Sequence, residues 1–312
     1  MDYSSNVTYL TLEGHVELQK YRYVYFIITF IVYLLIICCN IVVISVILKN
    51  KCLHEPMYIF IAALLCNTLV GTTALYPKLL SDFLSERQII SFEACTFQSF
   101  FIYTCVVSEF TLLSAMAYDR YVSICKPLQY STLVKMSTVK RLLFFCWLLP
   151  LLGIGIGVVL TYQLKLCKFK LNRIYCNSNG LLKLTCEDTT LRNSFGLLVL
   201  TTAVFPPSIF IIFSYVKILR VCLRNSKDFR AKALQTCVPH LLIFVSVTVT
   251  ACFEVINSKL EGNVPHIVSM IMSVEILVIP PLLNPVIYGL KLQEIRSIIM
   301  RMFWKGRTKL TF

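Results

Sequence analysis

The sequence predicts an all-α membrane protein, a seven-transmembrane helix bundle with its N-terminus extracellular and a short amphipathic cytoplasmic helix after the seventh helix. Three observations predict it. Of 312 residues, 57% are hydrophobic and 15% charged, too apolar for an ordinary soluble domain. The apolar residues gather into seven runs, each long enough to cross about 30 Å of hydrocarbon at about 1.5 Å per residue. Lysine and arginine are distributed unevenly between alternate loops, which fixes the orientation.

Four runs, 23–48, 57–77, 142–164 and 193–216, carry no charge. Two more, 95–117 and 264–290, carry one acid each, Glu109 and Glu275, and 233–253 carries only His240. None shows the ten-residue alternation of an outer-membrane barrel, so helices are expected. The first 22 residues are polar and lack a cleavable signal pattern, so the first helix is expected to act as signal and anchor. The organisation that follows is an extracellular tail over 1–22, a membrane domain over 23–290 and a cytoplasmic helix and tail over 291–312.

With the N-terminus outside, nineteen of the thirty basic residues fall in inner segments, as the retention of lysine and arginine in the cytoplasm requires. Much of the net charge of +14 then faces anionic inner-leaflet lipid. The bases are dispersed over several short loops rather than gathered on one face, so nucleic acid is not an expected partner.

Of fourteen cysteines, four (Cys95, Cys167, Cys176 and Cys186) lie in outer segments, where the compartment is oxidising. Four cysteines allow three pairings, among which the residues alone do not choose. The other ten read as small apolar packing residues. The sequon Asn6-Val7-Thr8 agrees with an outer tail and marks Asn6 as a glycosylation candidate.

The stretch MAYDRYVSICKPLQY, residues 116–130, ends the third helix on the cytoplasmic side. An arginine there can simply snorkel to the headgroups, with Asp119 neutralising it in part, or it can serve a partner. The company it keeps favours the second reading. Together with CCN at 38–40, PMYIF at 56–60, SYVKIL at 214–219, KALQTCVPHL at 232–241 and PPLLNPVIYGLKLQEIR at 280–296, it resembles the odorant receptors. These are a branch of the rhodopsin-like G-protein-coupled receptors, and the likeness is strongest to the fish-type members. It covers nearly the whole chain; NPVIY alone would indicate only the wider superfamily.

The resemblance implies a receptor that binds a small-molecule odorant within the bundle, activates a stimulatory G protein and raises cyclic AMP in the plasma membrane of olfactory sensory neurons. It implies disulfides Cys95–Cys176 and Cys167–Cys186. Arg120, flanked by Asp119 and Tyr121, is implied to meet the C-terminal end of the Gα polypeptide once the sixth helix swings outward. Tyr215 and Tyr288 match the tyrosines that close around that arginine, and His240, Asn284 and Pro285 belong to the same switch. Many relatives carry an acid at the foot of the sixth helix that pairs with the arginine; the matching residue here is Arg230. The resting state must be held otherwise, by Asp119 with Arg120 and by His240 bonding across helices, with modest basal activity expected.

Glu109 is a mid-membrane carboxylate, costly unless protonated, paired or bound to a cation. It is either a neutral acid inside the bundle or part of the sodium site that the resemblance implies, with Asn40, Asn67, Thr68 and Asn284. Asn67 and Thr68 stand where the family carries a second acid. No other cofactor is expected.

The ligand pocket is implied between helices three, five, six and seven. Its matching positions are Ile102, Tyr103, Val106 and Val107 on the third, Val199, Leu200 and Ala203 on the fifth, and Thr248, Ala251 and Val255 on the sixth. No acid replaces Ile102, where amine receptors hold an ammonium. An apolar cavity with two polar handles, Tyr103 and Thr248, suits a small and mostly apolar molecule. The second outer loop carries six bases between Lys165 and Arg192; it is either a solvated loop or a funnel for anionic odorants.

GIGIG at 153–157 lies within the fourth helix without a preceding strand, so it signals close packing or a dimer seam rather than a dinucleotide loop. In the tail, Ile295, Ile298, Ile299, Met302 and Phe303 fall on one helical face with Arg296, Arg301 and Lys305 elsewhere, the pattern of a helix lying on inner-leaflet lipid. A non-olfactory receptor for a lipid or peptide is the nearest alternative. A transporter would show matched repeats or broken helices. An enzyme would show converging nucleophile, base or metal ligands, and the sequence displays none of these.

Overall fold

The computed structural model describes residues 8–14, 20–260 and 266–309, with side chains at all of these except 232, 254–260, 266–277, 291 and 302–309. The helices in chain order are α1 (Arg22–Lys49), α2 (Pro56–Leu84), α3 (Phe92–Cys125), α4 (Tyr130–Leu133), α5 (Met136–Tyr162) and α6 (Ser178–Leu182), then α7 (Thr190–Ala203), α8 (Phe205–Arg224), α9 (Lys227–Leu260), α10 (His266–Lys291) and α11 (Gln293–Lys309). Seven spans result: α1, α2, α3, α5, the pair α7 and α8, α9, and α10. Asn6 lies outside the described residues, as do the side chains of Val255 and Glu275.

α3 is the axis of the bundle. It packs on α2, α5, α8 and α9, and buries Phe110, Leu113 and Met116 in a core shared with Phe60 and Leu64 of α2, Ile243 of α9 and Tyr288 of α10. The outer helices turn apolar side chains away from the protein, among them Ile27 and Ile31 of α1, Phe144 and Phe145 of α5 and Ile209 of α8. Such a coat of exposed apolar residues is stable only in lipid.

Two of the departures from the reading of the sequence involve proline. α2 does not stop at Pro77 but continues to Leu84 with that proline inside it; one missing N–H is tolerated within a packed membrane bundle. The fifth span, expected as one run, breaks at Val204 between α7 and α8. Pro206 and Pro207 follow at once, so the carbonyls of Thr202 and Ala203 lose the amides that would continue the helix.

The outer end is tied down by strands that the sequence did not announce. β1 (Tyr9–Leu12) of the N-terminal tail lies between β2 (Ile89–Ser91) and β3 (Lys170–Leu171). It runs antiparallel to β2 and parallel to β3, with Thr11 opposite Ile89 and Lys170. Leu10 and Leu12 of β1 pack beside Ile90, Phe92 and the Cys95–Cys176 pair, while Lys170 and Glu13 approach to 2.7 Å at the surface. Cys95 is bonded to Cys176 and Cys167 to Cys186, with Cα separations of 5.3 and 5.6 Å.

The glycines of the fourth span are used within the chain. A side chain at Gly153 would touch Val199, one at Gly155 the Phe100 ring, and one at Gly157 the Arg192 guanidinium. Arg192 crosses this gap to donate to Thr161 Oγ1 at 2.9 Å and Ser178 Oγ at 2.6 Å. At the inner end, α11 packs on α1 and α10, sinking Ile295 into the main core with Ile298 and Ile299 half-buried beside it.

Candidate functional site: a bundle cavity and an inner switch

A cavity of about 70 Å³ opens among α2, α3, α9 and α10, room for several waters or one small organic molecule. Its walls are apolar, with Leu75, Ile102 and Val106 on one side and Val247, Ala251 and Pro280 on the other. Its polar end is formed by Asn67, Thr68, Thr72, Glu109 and Thr250. Gly71 contributes space, because a Cβ there would come within 3.2 Å of Cys105.

Hydrogen bonding leaves this polar end rich in acceptors. The hydroxyls of Thr68, Thr72 and Thr250 donate to Leu64, Thr68 and Ser246 carbonyls on their own helices, so their lone pairs remain. Glu109 Oε1 accepts from Asn284 Nδ2 at 2.7 Å. Asn40 spends its amide on the carbonyls of Ile36 and Pro281, at 2.8 and 3.2 Å. The Oδ1 atoms of both Asn40 and Asn284 are buried without a hydrogen-bond partner among the described residues. Asn67 is committed to the scaffold: Nδ2 donates to the Cys105 carbonyl at 2.8 Å, and Oδ1 accepts from Trp147 Nε1 at 3.4 Å.

At the inner end, Arg120 Nη2 stands 3.4 Å from Asp119 Oδ2, and Asp119 Oδ1 accepts from the Tyr130 hydroxyl at 2.8 Å. Burial and then the neighbouring Asp119 carboxylate push the Tyr130 phenol above its usual pKa, so it stays a donor. His240, fully buried, contacts the Leu113 carbonyl through Nε2 at 2.9 Å and the Tyr215 hydroxyl through Nδ1 at 2.8 Å. A carbonyl only accepts, so Nε2 carries the proton and the neutral ring's Nδ1 accepts from Tyr215. Tyr288 is buried with its hydroxyl 3.8 Å from Met116 Sδ. Arg230 donates across to α8 carbonyls of Cys222 and Leu223, each at 3.4 Å.

Known proteins resemble this chain over nearly its whole length. A sequence model described as olfactory receptor matches residues 29–306. Olfactory receptor 10J4 of Homo sapiens is 34% identical over 95% of this chain and 95% of its own length. The chain belongs to the olfactory receptor family. Olfactory receptor 51E1 of Homo sapiens is 32% identical over 96% of this chain and 94% of its own. Squid rhodopsin superposes with a TM-score of 0.76 at 18% identity, covering 94% of this chain and 88% of that one, which shows a common fold. This olfactory receptor is therefore an odorant-activated G-protein-coupled receptor and a multi-pass membrane protein, of a family of signalling receptors rather than enzymes.

Within the receptor, the residues named from the sequence fall into three groups. Ile102, Val106 and Ala251 line the cavity together with Glu109, Asn67 and Thr68, so the candidate ligand and cation residues share one space. The fifth-helix positions do not border it: Val199 faces Gly153, and Leu200 and Ala203 sit half-buried on α7. Tyr103 is an electrostatic neighbour of Arg192, Val107 is buried, and the Thr248 hydroxyl donates to Phe244 O at 2.7 Å. Tyr121 packs with Cys222 and Cys237, and Pro285 is buried inside α10. Sequence reasoning missed Gly71, Thr72, Leu75, Val247 and Thr250. Thr68 and Thr72 stand four apart with Gly71 beside them, a small polar stripe on an apolar helix that could have revealed the α2 wall.

Proposed function

We propose that this receptor couples odorant binding in the bundle cavity to a stimulatory olfactory-type G protein and so raises cyclic AMP at the plasma membrane of olfactory sensory neurons. The observation that carries the reading is the inner switch. Arg120, the side chain that would meet Gα, is engaged by Asp119, while His240 ties the sixth span to the third. Odorant would release these ties only by binding the open state better than the closed one.

A sodium ion fits the chemistry of the polar end, where the Glu109 carboxylate and the acceptor hydroxyls of Thr68, Thr72 and Thr250 line the cavity and Asn284, whose Oδ1 has no partner among the described residues, is bonded to Glu109. Glu109, Asn284 and Thr68 would hold it, and its charge would favour the closed bundle. α11 would rest its bases on inner-leaflet lipid.

Cyclic AMP in cells that express the receptor with a stimulatory G protein, across an odorant panel, tests the reading. A dose-dependent rise that disappears in surface-matched Arg120→Ala is the expected result; silence at confirmed surface expression would contradict it. The alternative, a lipid or peptide ligand, finds no favouring feature among the residues that line the cavity.

A further inference from the structure

We infer that the polar end of the cavity selects odorants with a protonated amine head, and that short aliphatic amines occupy it with the ammonium on Glu109. The inference rests on reading the cavity as the odorant site and names the ligand class for it.

Charge and hydrogen-bond inventory decide the class. Among the described residues, Glu109 is the only carboxylate or base that lines the cavity, and its Oε1 alone has a protein donor there, Asn284. Oε2 has no such donor among the described residues and is open to a ligand. The nearby hydroxyls of Thr68, Thr72 and Thr250 have already given their protons to backbone carbonyls and can only accept. A ligand head placed here therefore has to donate, and a positive head donates best to a desolvated carboxylate. A carboxylate odorant would meet like charge and acceptors without a donor. A neutral alcohol would supply a single proton to a site with several acceptors. A primary ammonium carries three donors and a full charge.

The apolar walls separate an amine from a bare metal cation. Ile102, Val106, Val247 and Ala251 lie in the same cavity, and an alkali ion makes no use of them. An alkyl chain does, through the water that each buried CH₂ sheds. The amine therefore spans the cavity from Glu109 to those side chains, in place of any ion held at the polar end. Glu109 lies about two helical turns further along α3 than Ile102, the position at which the resemblance places the acid of amine receptors.

The test is thermal unfolding of the purified full-length receptor in choline chloride, titrated separately with n-butylamine hydrochloride, 1-butanol, sodium chloride and choline butyrate. Butylammonium is expected to raise the midpoint saturably, butanol and butyrate to leave it unchanged, and added sodium to weaken butylammonium's apparent affinity in competition. Glu109→Gln, which keeps the Asn284 contact and removes the charge, is expected to lose roughly 10–100-fold in butylammonium affinity, the scale of a hydrogen bond to a charged group. The competition is measured on the unaltered receptor and does not depend on that variant folding. Equal shifts by butanol, a butylammonium shift that persists in Glu109→Gln, or a shift by sodium with none by butylammonium would each overturn the inference. If butylammonium has no effect while another odorant raises cyclic AMP, the amine assignment falls and the receptor reading stands. If the butylammonium shift is present but no odorant raises cyclic AMP, the assignment of the site stands and the coupling reading fails.

Discussion

His240 and Tyr215 lie nearly parallel, with ring centroids 5.5 Å apart and planes inclined by 21°, and they share the 2.8 Å hydrogen bond between Nδ1 and the phenol. Because the opposite nitrogen binds Leu113 on α3, one imidazole joins three spans. Replacing it removes two buried hydrogen bonds, about 1–3 kcal/mol of closed-state preference. His240→Phe is expected to raise basal cyclic AMP several-fold at matched surface expression. A basal level equal to that of the unaltered receptor would show that the closed state does not depend on this histidine.

Tyr130 acts from the cytoplasmic loop. Its hydroxyl holds Asp119 Oδ1, which leaves Oδ2 for Arg120. Tyr130→Phe removes one hydrogen bond to a charged acceptor, worth about 1.5–3 kcal/mol at most, and keeps the ring. A rise in basal signalling of the same order as for His240→Phe is expected, without loss of surface receptor. The comparison is made by basal cyclic AMP normalised to surface labelling, and an unchanged baseline would count against a positioning role.

Arg230, which the family resemblance sets where many relatives carry an acid, donates to α8 carbonyls. Arg230→Glu brings a negative charge toward Arg120, and an ion pair there would favour the closed state. Lower basal activity and a higher odorant concentration for half response are expected in dose-response assays. Increased basal activity would mean that the contacts to Cys222 and Leu223 are the stronger constraint.

The outer cover depends on Cys176. It is bonded to Cys95, and its amide donates to Gln98 Oε1 at 2.9 Å. Gln98 in turn reaches the Ala74 carbonyl of α2 at 3.3 Å. The bridge closes a span of 81 residues, so Cys176→Ser is expected to cost about 2–5 kcal/mol, with a lower unfolding midpoint and less surface receptor. An unchanged midpoint would place the stability elsewhere.

The helices were legible in the sequence because each carries its own evidence: length, apolarity and the basic loops that orient it. What is non-local was not. β1 is four residues, and its alternation of Leu10 and Leu12 with Tyr9 and Thr11 gains meaning only from the distant β2 and β3. The break in the fifth span follows from Pro206 and Pro207, whose effect was present in the sequence and was outweighed there by hydrophobicity. Glu109 drew notice because a charge in a membrane helix is conspicuous. Gly71 did not, because the absence of a side chain makes space only opposite a particular neighbour, here Cys105.

The central claim is that the inner face around Arg120 activates a G protein when odorant fills the bundle. It is tested most directly by nucleotide exchange on a purified stimulatory heterotrimer, with the receptor reconstituted in lipid nanodiscs and an activating odorant added. The account predicts odorant-dependent acceleration that Arg120→Ala abolishes while odorant binding persists. Exchange that does not respond to bound odorant, or that survives the substitution intact, would contradict it.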